Sequence, residues 1–309
     1  MKILITGITG FLGINTTLLF LEKGYDVMGI SRRGEKNLPE ALKRCGKNLK
    51  IIKGDITSQN FWKTFAKKKE KINVILHLAG IAQALKTTDN PRPLFKTNTL
   101  GTFNVLEFSR LNGKIPVIFA STGQIYPLGD MTARSFYGAS KYAADLFCQE
   151  YMLTYQIPVI INRLGVIYGP YYKPLKSPRH YTSWVNWFLA ANALGLPVFL
   201  VNQGNLVRDP IFAGDAAELF EIQARKKAMI NNIYDVGGGT EHAVSMKKII
   251  TEIEKASGKK FVKVDYLKDK PITRSRYVAD IKKLQPHWKP RTSLDEGLKI
   301  TARWLSEKI

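Results

Sequence analysis

The chain has 309 residues, 45% of them hydrophobic, and carries 47 Lys and Arg against 25 Asp and Glu, a formal charge of +22. That length and apolar content suit one large or two ordinary globular domains and exclude a disordered or low-complexity protein. No run of about 18 apolar residues is present, and the first apolar run is short, broken by glycine and followed by no small-residue cleavage site. Neither a membrane span nor a signal peptide is expected, and the protein reads as soluble and cytoplasmic. A field this positive attracts anions of every kind, nucleic acid and phosphorylated metabolites alike, without choosing among them. Cys45 and Cys148 lie far apart without metal-ligand spacing, so they read as reduced thiols and no metal site is expected.

In chain order, "MKILITGITGFLG" sets an apolar strand at residues 3–5 before Gly7, Gly10 and Gly13, with a helix at about 12–23. In that setting the first glycine allows a tight turn, the second lets backbone approach a pyrophosphate, and the third lets the helix pack close to the sheet. The phosphates would meet the positive end of the helix. A dinucleotide is therefore expected along Gly7, Thr9, Gly10, Phe11, Leu12 and Gly13.

A second strand at 26–30 ends in "MGISRRGEK", with Ser31, Arg32 and Arg33 where an NAD site usually places a carboxylate for the ribose diol. Two guanidiniums suit a 2′-phosphate, which favours NADP over NAD; ordinary surface arginines are the alternative. After a third strand at 49–53, Asp55 and Ile56 in "GDI" are placed to meet the adenine, unless Asp55 serves as a helix N-terminal aspartate. A helix at 58–70 closes on the charge run "KKKEK" at 67–71, which reads as a solvated helix face. Strands at 73–79, 115–120 and 158–162 alternate with helices at 92–112 and 136–155. Short apolar strands separated by helices predict right-handed crossovers and an α/β fold, a Rossmann-type doubly wound parallel sheet. The dinucleotide-binding domain is expected over 1–168. A smaller mixed α/β substrate-binding lobe is expected over 169–309, with part of 206–237 available to return to the first domain.

The chemistry is carried by "STGQIYPLGDMTARSFYGASK". Tyr137 and Lys141 are four apart and share a helix face. A phenol of pKa about 10 is a poor base at neutral pH, but an adjacent ammonium and an oxidised nicotinamide both favour the phenolate. Thr122, at the end of the preceding strand, can hydrogen-bond the alcohol or ketone oxygen being transformed. Trp184 and Trp187, three apart, read as helix core before they read as a platform for a base.

Together with "HLAG" at 77–80, "NTLGTFNVLE" at 98–107, "RLGVIYGP" at 163–170, "VRDPIFAGD" at 207–215 and "HWKPRTSLDEGL" at 287–298, these motifs resemble the extended short-chain dehydrogenase/reductases, in the sugar-nucleotide epimerase/dehydratase branch. "DNPRPLFKTN", "SKYAAD", "SWVNWF" and "RYVADIKKL" look most like CDP-paratose (CDP-tyvelose) 2-epimerases. The resemblance implies an NAD(P)-dependent enzyme acting on a nucleoside-diphospho-sugar in polysaccharide biosynthesis, with NAD rather than NADP as the family habit. It implies Thr122, Tyr137 and Lys141 as catalytic residues and adds Leu78, Ala79, Gly80 and Asn98 to the cofactor contacts, alongside Tyr137 and Lys141 themselves. On the substrate it implies Gln83, Gln124, Arg208 and Lys270, with Arg208 gripping the diphosphate; without the motif, Arg208 would read as a surface pair with Asp209. A homodimer through the segments near 92–112 and 136–155 is implied as well.

The departures point the other way on chemistry. Family dehydratases place an Asp-Glu pair after the catalytic threonine; here Gly123 and Gln124 stand there, which disfavours a 4,6-dehydratase. Val166 replaces a family asparagine, and Lys270 stands where a late arginine usually joins the diphosphate grip. Fifteen positions separate Thr122 from Tyr137, a trimmed interval. Epimerase and 4-reductase or dehydrogenase use the same triad and remain open. A non-catalytic dinucleotide sensor would have no reason to keep Thr122, Tyr137 and Lys141 together. A nucleic-acid binder would need a basic recognition helix or an aromatic sheet signature that the chain lacks.

Overall fold

The computed structural model describes residues 1–82, 90–126, 135–171, 183–267 and 274–308. Seven strands form one sheet: β1 (Lys2–Thr6), β2 (Asp26–Ser31), β3 (Leu49–Lys53), β4 (Val74–His77), β5 (Val117–Thr122), β6 (Val159–Leu164) and β7 (Asn232–Val236). Their order is β7-β6-β5-β4-β1-β2-β3. β1 runs parallel to β2 and β4, β2 to β3, and β4 to β5. The order reverses beside β1, where Ile3 lies opposite both Val27 and Val74. Ligands of open α/β sheets bind at the carboxyl ends of strands next to such a switch.

Helices cover the sheet because the connections demand it: parallel neighbours need long crossovers, and strands buried on both faces must be apolar throughout. β1 and β4 accordingly have almost no exposed position. Helix α1 (Phe11–Glu22) follows β1, α2 (Gln59–Ala66) follows β3, α3 (Gly101–Leu111) precedes β5, and α4 (Phe136–Thr154) follows it. Trp62 and Phe65 of α2 pack with Phe108 of α3 in an aromatic cluster, at ring separations of 4.9 and 5.4 Å.

The chain divides into two compact units. Among the described residues the first comprises 1–82, 90–126, 135–163 and 217–234, and the second 164–171, 183–216, 235–267 and 274–308. The second has its own core, built on α5 (Trp184–Leu194), α6 (Met246–Ser257) and α7 (Leu294–Ser306) and supplemented by two-stranded pairs. Trp184 and Trp187 pack against that core.

Two local expectations are corrected. The segment at 92–112 is not one α-helix: Arg92–Leu94 is a short α-turn, Phe95–Leu100 is wound as a π-helix, and α-geometry resumes at Gly101. The charge run at 67–71 is not a helix face either. Helix α2 ends at Ala66, Lys69 takes φ +48, and Glu70 reaches Lys2 and Lys50 at 2.9 and 2.8 Å. Those two ammonium groups hold the Glu70 carboxyl down at about 2, against burial acting the other way.

Candidate active site

The glycine turn is shaped as a cradle. Gly7 has φ +73, and a Cβ on it would lie 2.6 Å from the Ala79 backbone nitrogen, so both conformation and space demand glycine. A Cβ on Gly13 would strike the Gly7 carbonyl oxygen at 2.2 Å, so this glycine lets α1 close onto the turn. Gly10 would meet only that same oxygen, at 3.0 Å. It leads into α1 with no side-chain cap and no acid in the first turn, which keeps the helix's positive end suited to a phosphate. These residues fit a dinucleotide pyrophosphate.

The other cofactor candidates are more occupied. Ser31 is buried and donates to the Gly34 carbonyl at 3.3 Å, while Arg32 and Arg33 are exposed. Asp55 Oδ1 accepts from the Thr57 amide and hydroxyl, both at 2.9 Å, closing the turn that Ser58 then caps for α2. The Ile56 carbonyl accepts from Trp62 Nε1 and Asn104. Leu78 donates to the Thr6 carbonyl and Ala79 to the Thr6 hydroxyl. Asn98, expected as a cofactor contact, has its carboxamide bonded to neighbouring protein groups. Its Oδ1 accepts from Ile81 N at 2.8 Å, and its Nδ2 donates to the Ile81 carbonyl at 3.1 Å and to Ser140 Oγ at 2.9 Å.

Thr122, Tyr137 and Lys141 all belong to the first unit. Thr122 ends β5, where its Oγ1 accepts from the Gln124 amide at 3.3 Å. Burial pushes the Tyr137 phenol up, with the Thr122 hydroxyl acting the other way. α4 starts at Phe136 because Ser135 caps it, accepting from the Gly138 amide at 3.1 Å, so Tyr137 sits in the first turn. Lys141, one turn on, is 4% exposed, with its Nζ 4.1 Å from the centre of the Phe119 ring. Burial lowers this ammonium to about 8, against the opposing pull of Cys148 and Asp145. Gln124 is exposed and accepts from Ser135 Oγ at 3.5 Å.

A network around Asp145 escaped the sequence reading. Asp145 is fully buried, four residues beyond Lys141, and accepts from Ser121 Oγ and Gln149 Nε2, each at 2.7 Å. Arg163 Nη2 donates to its Oδ1 at 3.1 Å, and Arg163 Nη1 donates to the Tyr126 hydroxyl at 3.1 Å. The residue before Thr122 is thus tied to the helix of Tyr137 and Lys141. Helical spacing of 137, 141 and 145 was the available signal; the partner on β6 was not in it.

In the second unit, Arg208 reaches backbone carbonyls. Its guanidinium donates to the carbonyls of Val207 and Arg274, at 2.6 and 2.9 Å. Asp209 turns inward at 1% exposure, where its Oδ2 accepts from the Gly239 and Ala279 amides, each at 3.0 Å. Burial lifts this carboxyl to about 6, with those amides opposing. Gln83 and Lys270 lie outside the described residues. Among the described residues no group of His, Cys, Asp and Glu gathers to hold a metal ion, and no helix is long and apolar enough to cross a membrane.

A Rossmann-type sheet, a glycine cradle at its switch and a Thr-Tyr-Lys set at the end of β5 define the class. Residues 3–237 match the model of the NAD dependent epimerase/dehydratase family, and the chain belongs to that family, within the extended short-chain dehydrogenase/reductases. It is 29% identical to a UDP-glucuronate 4-epimerase of Thermodesulfobacterium geofontis, across 99% of this chain and 96% of that one. It is 27% identical to the CDP-paratose 2-epimerase of Salmonella typhi, across 99% of each, and 26% identical to a human dTDP-D-glucose 4,6-dehydratase, across 100% and 91%. Among solved structures, a Thermus thermophilus UDP-glucose 4-epimerase in complex with NAD matches over the full length of both chains, with TM-score 0.83 and 25% identity.

Proposed function

We propose that the protein is an NAD(P)-dependent nucleoside-diphospho-sugar epimerase that works by transient oxidation of a sugar carbinol to a ketone. The observation that carries this reading is the placement of Thr122 at the end of β5 and of Tyr137 in the first turn of α4, with the Lys141 ammonium buried one turn further along the same helix. Bound NAD(P) would supply the hydride chemistry. The chain's own residues manage the proton and the oxygen. Tyr137 takes the hydroxyl proton as general base, and Thr122 steadies the oxygen that remains. Burial opposes the phenolate, so positive charge near Tyr137 is what this residue needs in order to act, and Lys141 is assigned that role.

Arg208 is assigned to the substrate diphosphate, where a planar and permanently charged donor suits two phosphates. The UDP-, CDP- and dTDP-sugar names among the relatives support that substrate class. Against a 4,6-dehydratase stands the pair after Thr122: neither Gly123 nor the Gln124 carboxamide can exchange a proton, although a dehydratase is among the relatives.

A second reading, a sugar-nucleotide 4-reductase using NADPH, is favoured by one feature. Arg32 and Arg33 are exposed immediately after β2, as a 2′-phosphate would require. The NAD complex of the Thermus thermophilus relative supports NAD instead. Unpaired Cys45 and Cys148 support a reducing, cytoplasmic setting. A homodimer is supported by an exposed apolar face on two neighbouring helices: Phe95 and Leu111 on the first segment, Phe136, Leu146, Phe147 and Leu153 on α4.

Denaturing the purified protein and identifying the released nucleotide tests the choice. Tightly held NAD together with epimerisation of a nucleoside-diphospho-sugar supports the proposal. An empty protein that binds NADPH and consumes it stoichiometrically favours the reductase.

A further inference from the structure

His77 ends β4, is 0% exposed and has no part in the chemistry above. A buried imidazole must satisfy both of its nitrogens, and here both are met by hydroxyls: Nδ1 by Thr6 Oγ1 at 2.6 Å and Nε2 by Thr102 Oγ1 at 2.9 Å. The neighbouring bonds fix which nitrogen carries the proton. The Thr102 hydroxyl donates its one hydrogen to the Asn98 carbonyl at 2.6 Å, so it can only accept from His77, and Nε2 is the protonated nitrogen. Nδ1 is then an acceptor, and the Thr6 hydroxyl donates to it while accepting from the Ala79 amide at 3.2 Å.

All four bonds therefore point one way: Ala79 N–H to Thr6, Thr6 O–H to His77 Nδ1, His77 Nε2–H to Thr102, and Thr102 O–H to the Asn98 carbonyl. This chain starts on the segment that follows β4 and ends on the π-helical turn at Asn98. From there the Asn98 carboxamide returns to the same segment, holding both backbone groups of Ile81, and reaches Ser140. Ser140 Oγ in turn donates to the Tyr137 carbonyl at 2.8 Å. The Thr102 hydroxyl thus fastens the Asn98 carbonyl within the π-helical turn.

We propose that His77, held as the Nε2–H tautomer, is a positioning residue that fixes residues 78–81 against the turn at Asn98 and so sets the cofactor-facing segment relative to the helix of Tyr137. This rests on the NAD(P) reading for what that segment contacts; the hydrogen-bond chain does not. Alternating donor and acceptor roles make the chain cooperative, so breaking it at Thr102, some distance from Ala79, must loosen Ala79.

The test uses the full-length protein labelled with nitrogen-15 histidine, with His77→Gln to assign the resonance. Long-range proton–nitrogen spectra should show Nδ1 unprotonated and Nε2 protonated. Thr102→Val should speed amide exchange at Ala79 and weaken binding of NAD or NADP, each about tenfold, the scale of one hydrogen bond. Thr102→Ser should restore both. A protonated Nδ1 overturns the proposal, as does a folded Thr102→Val protein with wild-type Ala79 exchange and cofactor affinity, or a Thr102→Ser protein that stays impaired. If Thr102→Val does not fold, the wild-type tautomer decides. A wild-type protein that binds neither NAD nor NADP overturns the cofactor reading instead, while the tautomer and the Ala79 exchange still judge the chain of bonds.

Discussion

Lys141→Met should make the protein more stable and catalytically inert. Burial lowers the Lys141 ammonium to about 8, against about 10.4 for an unfolded lysine. At pH 7 both states are charged and the folded state carries the whole desolvation penalty, about 3 kcal/mol at roughly 1.36 kcal/mol per pH unit. Between about pH 8 and 10.4 the unfolded chain binds more protons than the folded one, so wild-type stability climbs with pH and the penalty falls to about 2 kcal/mol at pH 9. Methionine matches the length of the side chain and carries no charge to desolvate. The net gain should be about 3 kcal/mol at pH 7 and about 2 at pH 9. Urea unfolding of wild type and variant at both pH values measures it. A variant no more stable than wild type at pH 7, or a difference that does not shrink toward pH 9, would refute a desolvated Lys141 cation.

Four further outcomes follow from other parts of the molecule. Asp209→Asn should stabilise by up to about 3 kcal/mol at pH 8 and about half that at pH 5, because a carboxyl lifted from about 3.9 to about 6 costs most when ionised; thermal midpoints against pH read it. His77, held near 3 by burial and by Lys141, makes wild-type stability fall as pH drops below about 6.5, by about 2 kcal/mol at pH 5, and His77→Gln should flatten that limb of the same curve. Gln203 takes φ +51 beside Asn202 at φ +48, so Gln203→Gly should raise stability by about 0.5 kcal/mol in urea unfolding, where most glycine substitutions lower it. Leu146→Asp combined with Leu153→Asp should halve the mass found by sedimentation if the exposed face of α4 pairs two copies, and should leave it unchanged otherwise.

How much of this was legible beforehand varied with the range of the interactions involved. The six strands and their helices followed from alternating apolar runs, because a parallel sheet buried on both faces leaves a continuous local imprint. β7 was covered only by the expectation that part of 206–237 could return to the first domain, since "NIYDV" is short and far in sequence from the other strands. The π-turn at 95–100 has the apolar spacing of an ordinary helix, so the pattern could not set it apart. The charge run at 67–71 looked like a solvated helix face because nothing local reveals that Lys2 and Lys50, from two strands, converge on Glu70. Thr122, Tyr137 and Lys141 were singled out by their motif; Asp145, Arg163 and His77 were not, because their hydrogen bonds come from partners distant in sequence. The Arg274 carbonyl that meets Arg208 and the amides that meet Asp209 lie far off in sequence and left no local sign.

Binding and turnover of Tyr137→Phe test the central claim most directly. The phenol oxygen is the one atom asked to take the substrate's proton, and its removal leaves the glycine cradle untouched. With a nucleoside-diphospho-sugar that wild type converts, the variant should bind NAD or NADP with wild-type affinity, lose turnover by at least about a thousandfold and give no reduced-nicotinamide signal. Turnover within about tenfold of wild type at unchanged cofactor affinity would contradict the account.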